Sequence, residues 1–132
     1  MIVHAMMAAA LFVQAAPQQF DLVCEGRMTP IGTSDGPIEW SARYRLDLSR
    51  RVWCERGCSE LNSFAAVGTT EIVLQRQDRS RGAMGNNMDI VIDRTTGRLT
   101  GRYRADTVRT IGLDVHATCE PATFSGMPQN RF

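Results

Sequence analysis

Apolar and polar side chains alternate strictly over eleven residues in the first half of the chain. The apolar members are Ile38, Trp40, Ala42, Tyr44, Leu46 and Leu48, and a polar or charged residue stands between each pair. A period of two places the apolar side chains on one face of a β-strand, whereas an α-helix would scatter them around its circumference. Residues 38–48 therefore predict a strand with one buried face.

Shorter segments with the same alternation recur along the chain, with turn signals about every eight to twelve residues. The residues that share a face within each segment are Phe20, Leu22 and Cys24; Val52 and Cys54; Ile72 and Leu74; Met88, Ile90 and Ile92; Leu99, Gly101 and Tyr103; and Leu113, Val115, Ala117 and Cys119. Residues 94–97 predict a tight hairpin in which Gly97 takes a positive φ. Residues 61–67 are compatible with either a strand or a helical turn.

No long segment has a helical period, so the chain is predicted to be all-β. We expect about seven to eight strands in one antiparallel meander that closes into a small barrel or sandwich. Residues 77–87 predict a surface loop, and residues 120–132 predict an extended tail that Phe124 and Phe132 pin to the body. Residues 16–132 are thus expected to form a single domain.

The first fifteen residues have the features of a secretion signal. Residues 2–13 are an apolar run without charged side chains, shorter than the roughly 20 residues of a membrane span. Val13 and Ala15 supply the small side chains that a signal peptidase recognises. We therefore expect residues 1–15 to be a signal peptide and the protein to be periplasmic or secreted. The alternative is a buried N-terminal helix of a cytosolic protein.

Four cysteines in an exported chain are expected to form disulfides. Cys24 and Cys119 lie on the apolar faces of the first and last predicted strands, which are often neighbours in a closed meander. We therefore expect a bridge between Cys24 and Cys119, and a small loop closed by Cys54 and Cys58. Other pairings remain open. Redox catalysis and a structural zinc site are less favoured, because the cysteines form neither Cys-x-x-Cys nor two close pairs.

Arginines in the second half of the chain form the most suggestive polar group. Those on or near one predicted outward strand face are Arg98, Arg102 and Arg104, with Arg76, Arg79 and Arg81 close in sequence. Such a face suits an anionic envelope polymer, an anionic lipid surface or an acidic protein. The alternative is cross-strand pairing with Glu39, Asp47, Asp89 and Asp93. The net charge of +1 gives no overall field that would favour nucleic acid.

Sequence motifs for catalysis are missing from the chain. His116 is the one histidine beyond the leader, and a metal-ligand or general-base role for it is weighed against an ordinary solvated side chain. The chain has no glycine-rich phosphate loop, no nucleophile elbow and no two-histidine metal motif. An enzyme is therefore not favoured, and no cofactor or metal is expected.

Several short stretches carry a resemblance to other proteins. The segments FDLVCEG, YRLDLSRRVWC and VIDRTTGRL, the leader and a late Cys-Glu-Pro together resemble a loose group of short, uncharacterised exported β-rich bacterial proteins. In size and disulfide use the chain is also similar to small periplasmic inhibitors and lipocalin-like barrels. These resemblances imply an architecture and no activity.

The expected function is non-enzymatic binding in the envelope or outside the cell, of a protein partner or an anionic surface. The first alternative is a lipocalin-like small-molecule carrier, with Trp40, Tyr44 and Tyr103 lining an internal cavity. A small hydrolase is the third.

Overall fold

One antiparallel sheet of nine strands contains all the regular structure in the described residues. The computed structural model describes residues 17–78, 86–106 and 110–128. The strands are β1 (Gln19–Ile31), β2 (Ile38–Asp47), β3 (Val52–Glu55), β4 (Asn62–Ser63), β5 (Ala66–Val67), β6 (Glu71–Asp78), β7 (Asn86–Asp93), β8 (Arg98–Asp106) and β9 (Thr110–Ala122). Their order across the sheet is β4-β3-β2-β1-β9-β8-β7-β6-β5. Within these residues no helix is long and apolar enough to cross a membrane.

The first and last long strands pair side by side, as the strand pattern predicts. The β1–β9 register runs from Asp21 opposite Ala122 to Ile31 opposite Gly112. Within this ladder Cys24 lies directly opposite Cys119, with a Cα–Cα distance of 4.0 Å, and a disulfide joins them. A second disulfide joins Cys54 to Cys58. Both pairings are those expected from the sequence.

The predicted all-β antiparallel fold is confirmed. The predicted closure into a barrel or sandwich of about seven to eight strands is wrong, because one sheet of nine strands curls only into a half-barrel. The two additional strands lie within residues 61–67, where β4 pairs with β3 and β5 pairs with β6. Each of these strands has two residues. They form the two edges of the sheet and do not pair with each other. The indole of Trp53 on β3 reaches across the seam and donates to the carbonyl of Leu74 on β6, at 3.1 Å.

Local turns agree well with the sequence pattern. Strand β2 ends at Asp47, one residue before the predicted end of the alternation. The hairpin between β7 and β8 has Gly97 at φ 75°, and its N–H donates to the Asp93 carbonyl at 2.8 Å. Part of the predicted loop 77–87 is strand instead, since β6 extends to Asp78 and β7 begins at Asn86. Backbone pairing extends the two strands despite the weak alternation there.

The core fills the concave side of the sheet. Its buried side chains are Leu22, Cys24, Ala42, Tyr44, Leu46, Leu48, Trp53, Phe64, Ile72, Leu74, Ile92, Leu99, Ala117 and Cys119. Tyr44 and Trp53 pack edge to face with ring centroids 5.8 Å apart, a favourable aromatic arrangement. Phe64, between the two edge strands, closes this core from the seam side.

The C-terminal tail crosses the convex side of β1, β2 and β3. Asp21 is buried there and accepts hydrogen bonds from the Ser125 hydroxyl, the Ser125 N–H at 3.0 Å and the Arg43 Nε at 2.9 Å. Arg45 donates to the Gly126 carbonyl at 3.2 Å, and the Met127 sulfur lies 3.6 Å from the Cys54 sulfur. Polar bonds and a sulfur contact thus pin the tail.

Some sequence predictions fall on residues outside the described ranges. These are the signal peptide at residues 1–15, Arg79, Arg81 and Phe132. Phe124, the other predicted tail anchor, is half-buried.

Candidate functional site

The predicted arginine surface is mixed in charge. Arg98, Arg102 and Arg104 alternate with inward residues of β8 and therefore face outward. Arg102 lies between two acids, because it is opposite Asp89 of β7 and Asp114 of β9. Arg76 on β6 is in turn opposite Asp89. Acids therefore alternate with arginines across these strands.

Arg104 is already engaged by neighbouring groups. Its guanidinium contacts the Asp114 carboxylate at 2.8 Å and donates to the carbonyls of Tyr103 at 2.8 Å and Leu113 at 3.3 Å. The residue opposite it is Gly112. A Cβ there would collide with the Tyr103 carbonyl oxygen and come within 3.0 Å of the Arg104 guanidinium, so the glycine allows the close approach of the backbone of β8 as well as of this side chain. Arg98, opposite Thr118, remains exposed.

Only some of the acids proposed as partners for these arginines lie opposite an arginine in the sheet. Asp89 lies between arginines as expected, and Glu39 is opposite Arg27 on β1. Asp47 is buried and accepts bonds from Gln19, Ser49 and the Arg50 N–H. Asp93 accepts from the N–H groups of the following hairpin residues at 2.8 and 3.1 Å.

His116 is exposed on the convex face of β9, opposite Arg27 and Thr100. Both of its direct neighbours in the ladder are polar residues of that same face. In the described part of the chain, no group of three or more histidine, cysteine, aspartate or glutamate residues is placed to hold a metal ion.

An apolar pocket opens on the concave side, at the end of the sheet away from the tail. Its volume is about 200 Å³. The lining residues are Met28, Trp40, Tyr44, Glu55, Ile90, Leu99, Gly101, Arg102, Tyr103, Leu113 and Val115. Trp40, Tyr44 and Tyr103, the aromatic residues expected to line an internal cavity, thus all contribute to one pocket.

One row of inward strand positions forms a wall of the pocket. One row across the sheet has Met28, Val115, Gly101 and Ile90 at directly opposite positions. Glycine within a strand often marks a close approach of another group. A Cβ at position 101 would come within 3.2 Å of the Val115 Cβ, so this wall is already tightly packed.

The pocket walls are partly accessible, unlike the core below them. Tyr44 and Leu99 are 2% and 1% exposed and form its buried base. Trp40, Tyr103 and Leu113 are half-buried and form its rim. The aromatic side chains therefore present apolar surface that the fold itself does not cover.

A second, polar cleft of about 720 Å³ follows the open seam of the half-barrel. Its lining comes from β2, β3, the Cys54–Cys58 loop and the residues after it, β4 and β6, and consists of Ser41, Trp53, Glu55, Arg56, Gly57, Ser59, Glu60, Asn62 and Gln75. Glu55 lines both this cleft and the apolar pocket. The two cavities therefore meet at one carboxylate.

Sequence reasoning did not single out Glu55, Met28 or Gly101 as site residues. The signal for Gly101 was present, since it is a glycine in the middle of a predicted strand. Glu55 gave no signal because its inward position depends on the register that sets it opposite Tyr44. Comparison with protein-family models, with curated proteins and with solved structures gives no match for this chain.

Proposed function

We propose that the protein is a non-enzymatic binding protein that takes a small apolar ligand into its concave pocket. The observation that carries this proposal is the convergence of three aromatic side chains, Trp40, Tyr44 and Tyr103, on one partly open apolar cavity. Binding pockets are characteristically concave and apolar with few polar groups. The pocket favours the small-molecule carrier over binding to a protein partner or an anionic surface, which is the function expected first from the sequence.

The volume limits the ligand to a small one. An apolar cavity of about 150 Å³ can hold benzene, so the roughly 200 Å³ here suits a single aromatic ring with a short substituent. A drug-sized pocket is larger, at roughly 300–1,000 Å³. The two disulfides are compatible with action outside the cytoplasm, and we propose a periplasmic or secreted location.

Binding to a protein partner or an anionic surface remains a prediction. The alternation of arginines with Asp89 and Asp114 gives it less support than a uniformly basic face would. Among the residues that the structure describes, the arginines of β8 face acids or backbone carbonyls of the neighbouring strands or, for Arg98, Thr118.

The proposal is tested by titrating the protein with 2-phenylethanol and following the two tryptophan indole N–H signals by NMR. The Trp40 signal is expected to shift, because Trp40 lines the pocket, whereas Trp53 is buried and bonded to Ser63 and Leu74. Assignment uses the Trp40→Phe variant.

A filling substitution and a matched control complete the test. Leu113→Phe adds an aromatic ring at the pocket and is expected to weaken binding at least fivefold, on the order of 1 kcal/mol. His116→Phe adds the same ring on the convex face of the same strand and should leave binding unchanged. A Trp40 signal that stays still in the parent protein, or equal binding by the Leu113→Phe variant, would refute the proposal.

A further inference from the structure

Glu55 lies at the junction between the apolar pocket and the polar seam cleft. It is directly opposite Tyr44 in the β2–β3 ladder, and opposite residues in a ladder share a face of the sheet. Glu55 is exposed, whereas Tyr44 is buried at the pocket base. The carboxylate therefore stands where a ligand seated in the pocket would emerge toward solvent.

The Cys54–Cys58 disulfide loop holds the Glu55 backbone in place. The Cys58 N–H donates to the Glu55 carbonyl at 3.0 Å, and the Arg56 N–H donates to the Arg43 carbonyl at 2.8 Å. Arg56 and Cys58 have φ values of 44° and 56°, a left-handed conformation that non-glycine residues adopt only when their surroundings impose it. A carboxylate fixed in this way can act as a preorganised ligand contact.

The charge of Glu55 acts on the pocket wall. Burial raises the pKa of the Tyr44 hydroxyl above its ordinary value, and the nearby Glu55 carboxylate raises it further. Tyr44 thus stays a neutral phenol in physiological conditions, and its ring remains available as an apolar and aromatic wall.

We infer that the pocket selects a small amphiphile with an apolar body and a positively charged ammonium head placed at Glu55. This inference rests on the proposed function, because it names the chemical class of the ligand for that same pocket. Aromatic faces attract cations through their quadrupole, and Trp40 and Tyr103, half-buried at the rim, line the pocket together with one carboxylate residue. A cationic head therefore gains attraction from both kinds of group.

Arginine side chains near the site do not reverse this preference. Arg102 contributes to the lining from between Gly101 and Tyr103, but it is exposed on the outward row, opposite Asp89 and Asp114. Arg56 lines the seam cleft and is absent from the pocket lining. Among the described residues that line this pocket, Glu55 is the one acidic residue.

The test uses three phenyl probes of similar size: 2-phenylethylammonium, the neutral 2-phenylethanol and the anionic 3-phenylpropionate. Affinities are measured on the Trp40 indole signal at neutral pH. An exposed ion pair together with a cation–aromatic contact predicts that the ammonium binds about fivefold tighter than the alcohol. The carboxylate probe is expected to bind more weakly than the alcohol.

Glu55→Gln should bring the affinity for the ammonium down to that of the alcohol while leaving the alcohol unchanged. Glu60→Gln is the matched control, since Glu60 lines the seam cleft and not the pocket. Equal binding of ammonium and alcohol by the parent protein would overturn the inference and leave the proposed pocket function standing. A preference that survives Glu55→Gln would overturn it too. Binding of none of the three probes would overturn both.

Discussion

Loss of the Cys24–Cys119 disulfide is expected to cost far more stability than loss of the Cys54–Cys58 disulfide. The two bridges close loops with sequence separations of 95 and 4 residues. In the chain-entropy model these loops correspond to about 4.7 and about 1.9 kcal/mol at 25 °C. The expected difference of about 2.8 kcal/mol is a large part of the roughly 5–15 kcal/mol by which domains are stable.

The comparison is made with two double variants, Cys24→Ala/Cys119→Ala and Cys54→Ala/Cys58→Ala. All four cysteines are buried, with exposed fractions of 0% and 4% for Cys24 and Cys119 and 0% and 8% for Cys54 and Cys58, so both variants lose two buried sulfur atoms. Strands β1 and β9 remain paired along their length in the first variant, and we expect it to fold. Free energies of unfolding come from urea titrations followed by circular dichroism. Equal losses, or a larger loss for the short loop, would refute the entropic reasoning.

Two further predictions concern buried polar contacts. Burial alone would raise the pKa of the Asp21 carboxyl, but hydrogen bonds from Ser125 and the charge of Arg43 hold that pKa below its ordinary value of 3.8. The stabilisation that the ionised Asp21 contributes is therefore complete above about pH 4 and is lost as the pH falls further. The free energy of unfolding, measured by urea titration, should fall less between pH 7 and pH 3 for Asp21→Asn than for the parent. An equal fall in both proteins would contradict this. Trp53→Phe removes the indole N–H that serves the carbonyls of Ser63 and Leu74 and should cost about 1–3 kcal/mol. In this variant, amide hydrogen exchange should accelerate more in β5 and β6 than in β1. Equal acceleration in all three strands would show that Trp53 does not hold β3 and β6 together across the seam.

The strand pattern predicted much of the fold because side-chain alternation directly reports which face is buried. The segment 38–48 and the pairing of Cys24 with Cys119 follow from period-two reasoning, and the Gly97 turn follows from the conformational freedom of glycine. The open seam did not follow from it. Strands β4 and β5 have two residues each, which is too short for any alternation, and their place at the two edges is a property of the whole sheet.

The candidate site was predictable only in its apolar part. Trp40, Tyr44 and Tyr103 lie at alternating positions, so their shared inward face could be inferred. The buried Asp21 could not, because its partner Ser125 is 104 residues away in a tail without periodicity. Asp21 also alternates with apolar residues, as a solvated strand residue would. Long-range hydrogen bonds of this kind leave no local pattern.

Inward side chains differ in burial between the two ends of the sheet. Toward the tail end, Leu22, Leu46 and Trp53 are buried at inward positions beside the Cys24–Cys119 bridge. Toward the other end, Met28, Tyr103 and Leu113 line the pocket at inward positions and keep exposed surface. Closing the pocket with protein side chains would bury more apolar area and stabilise the fold. Retaining an aromatic-lined gap instead fits a site whose remaining apolar surface is covered by a ligand, with the rigid core and its disulfide setting the positions of the walls.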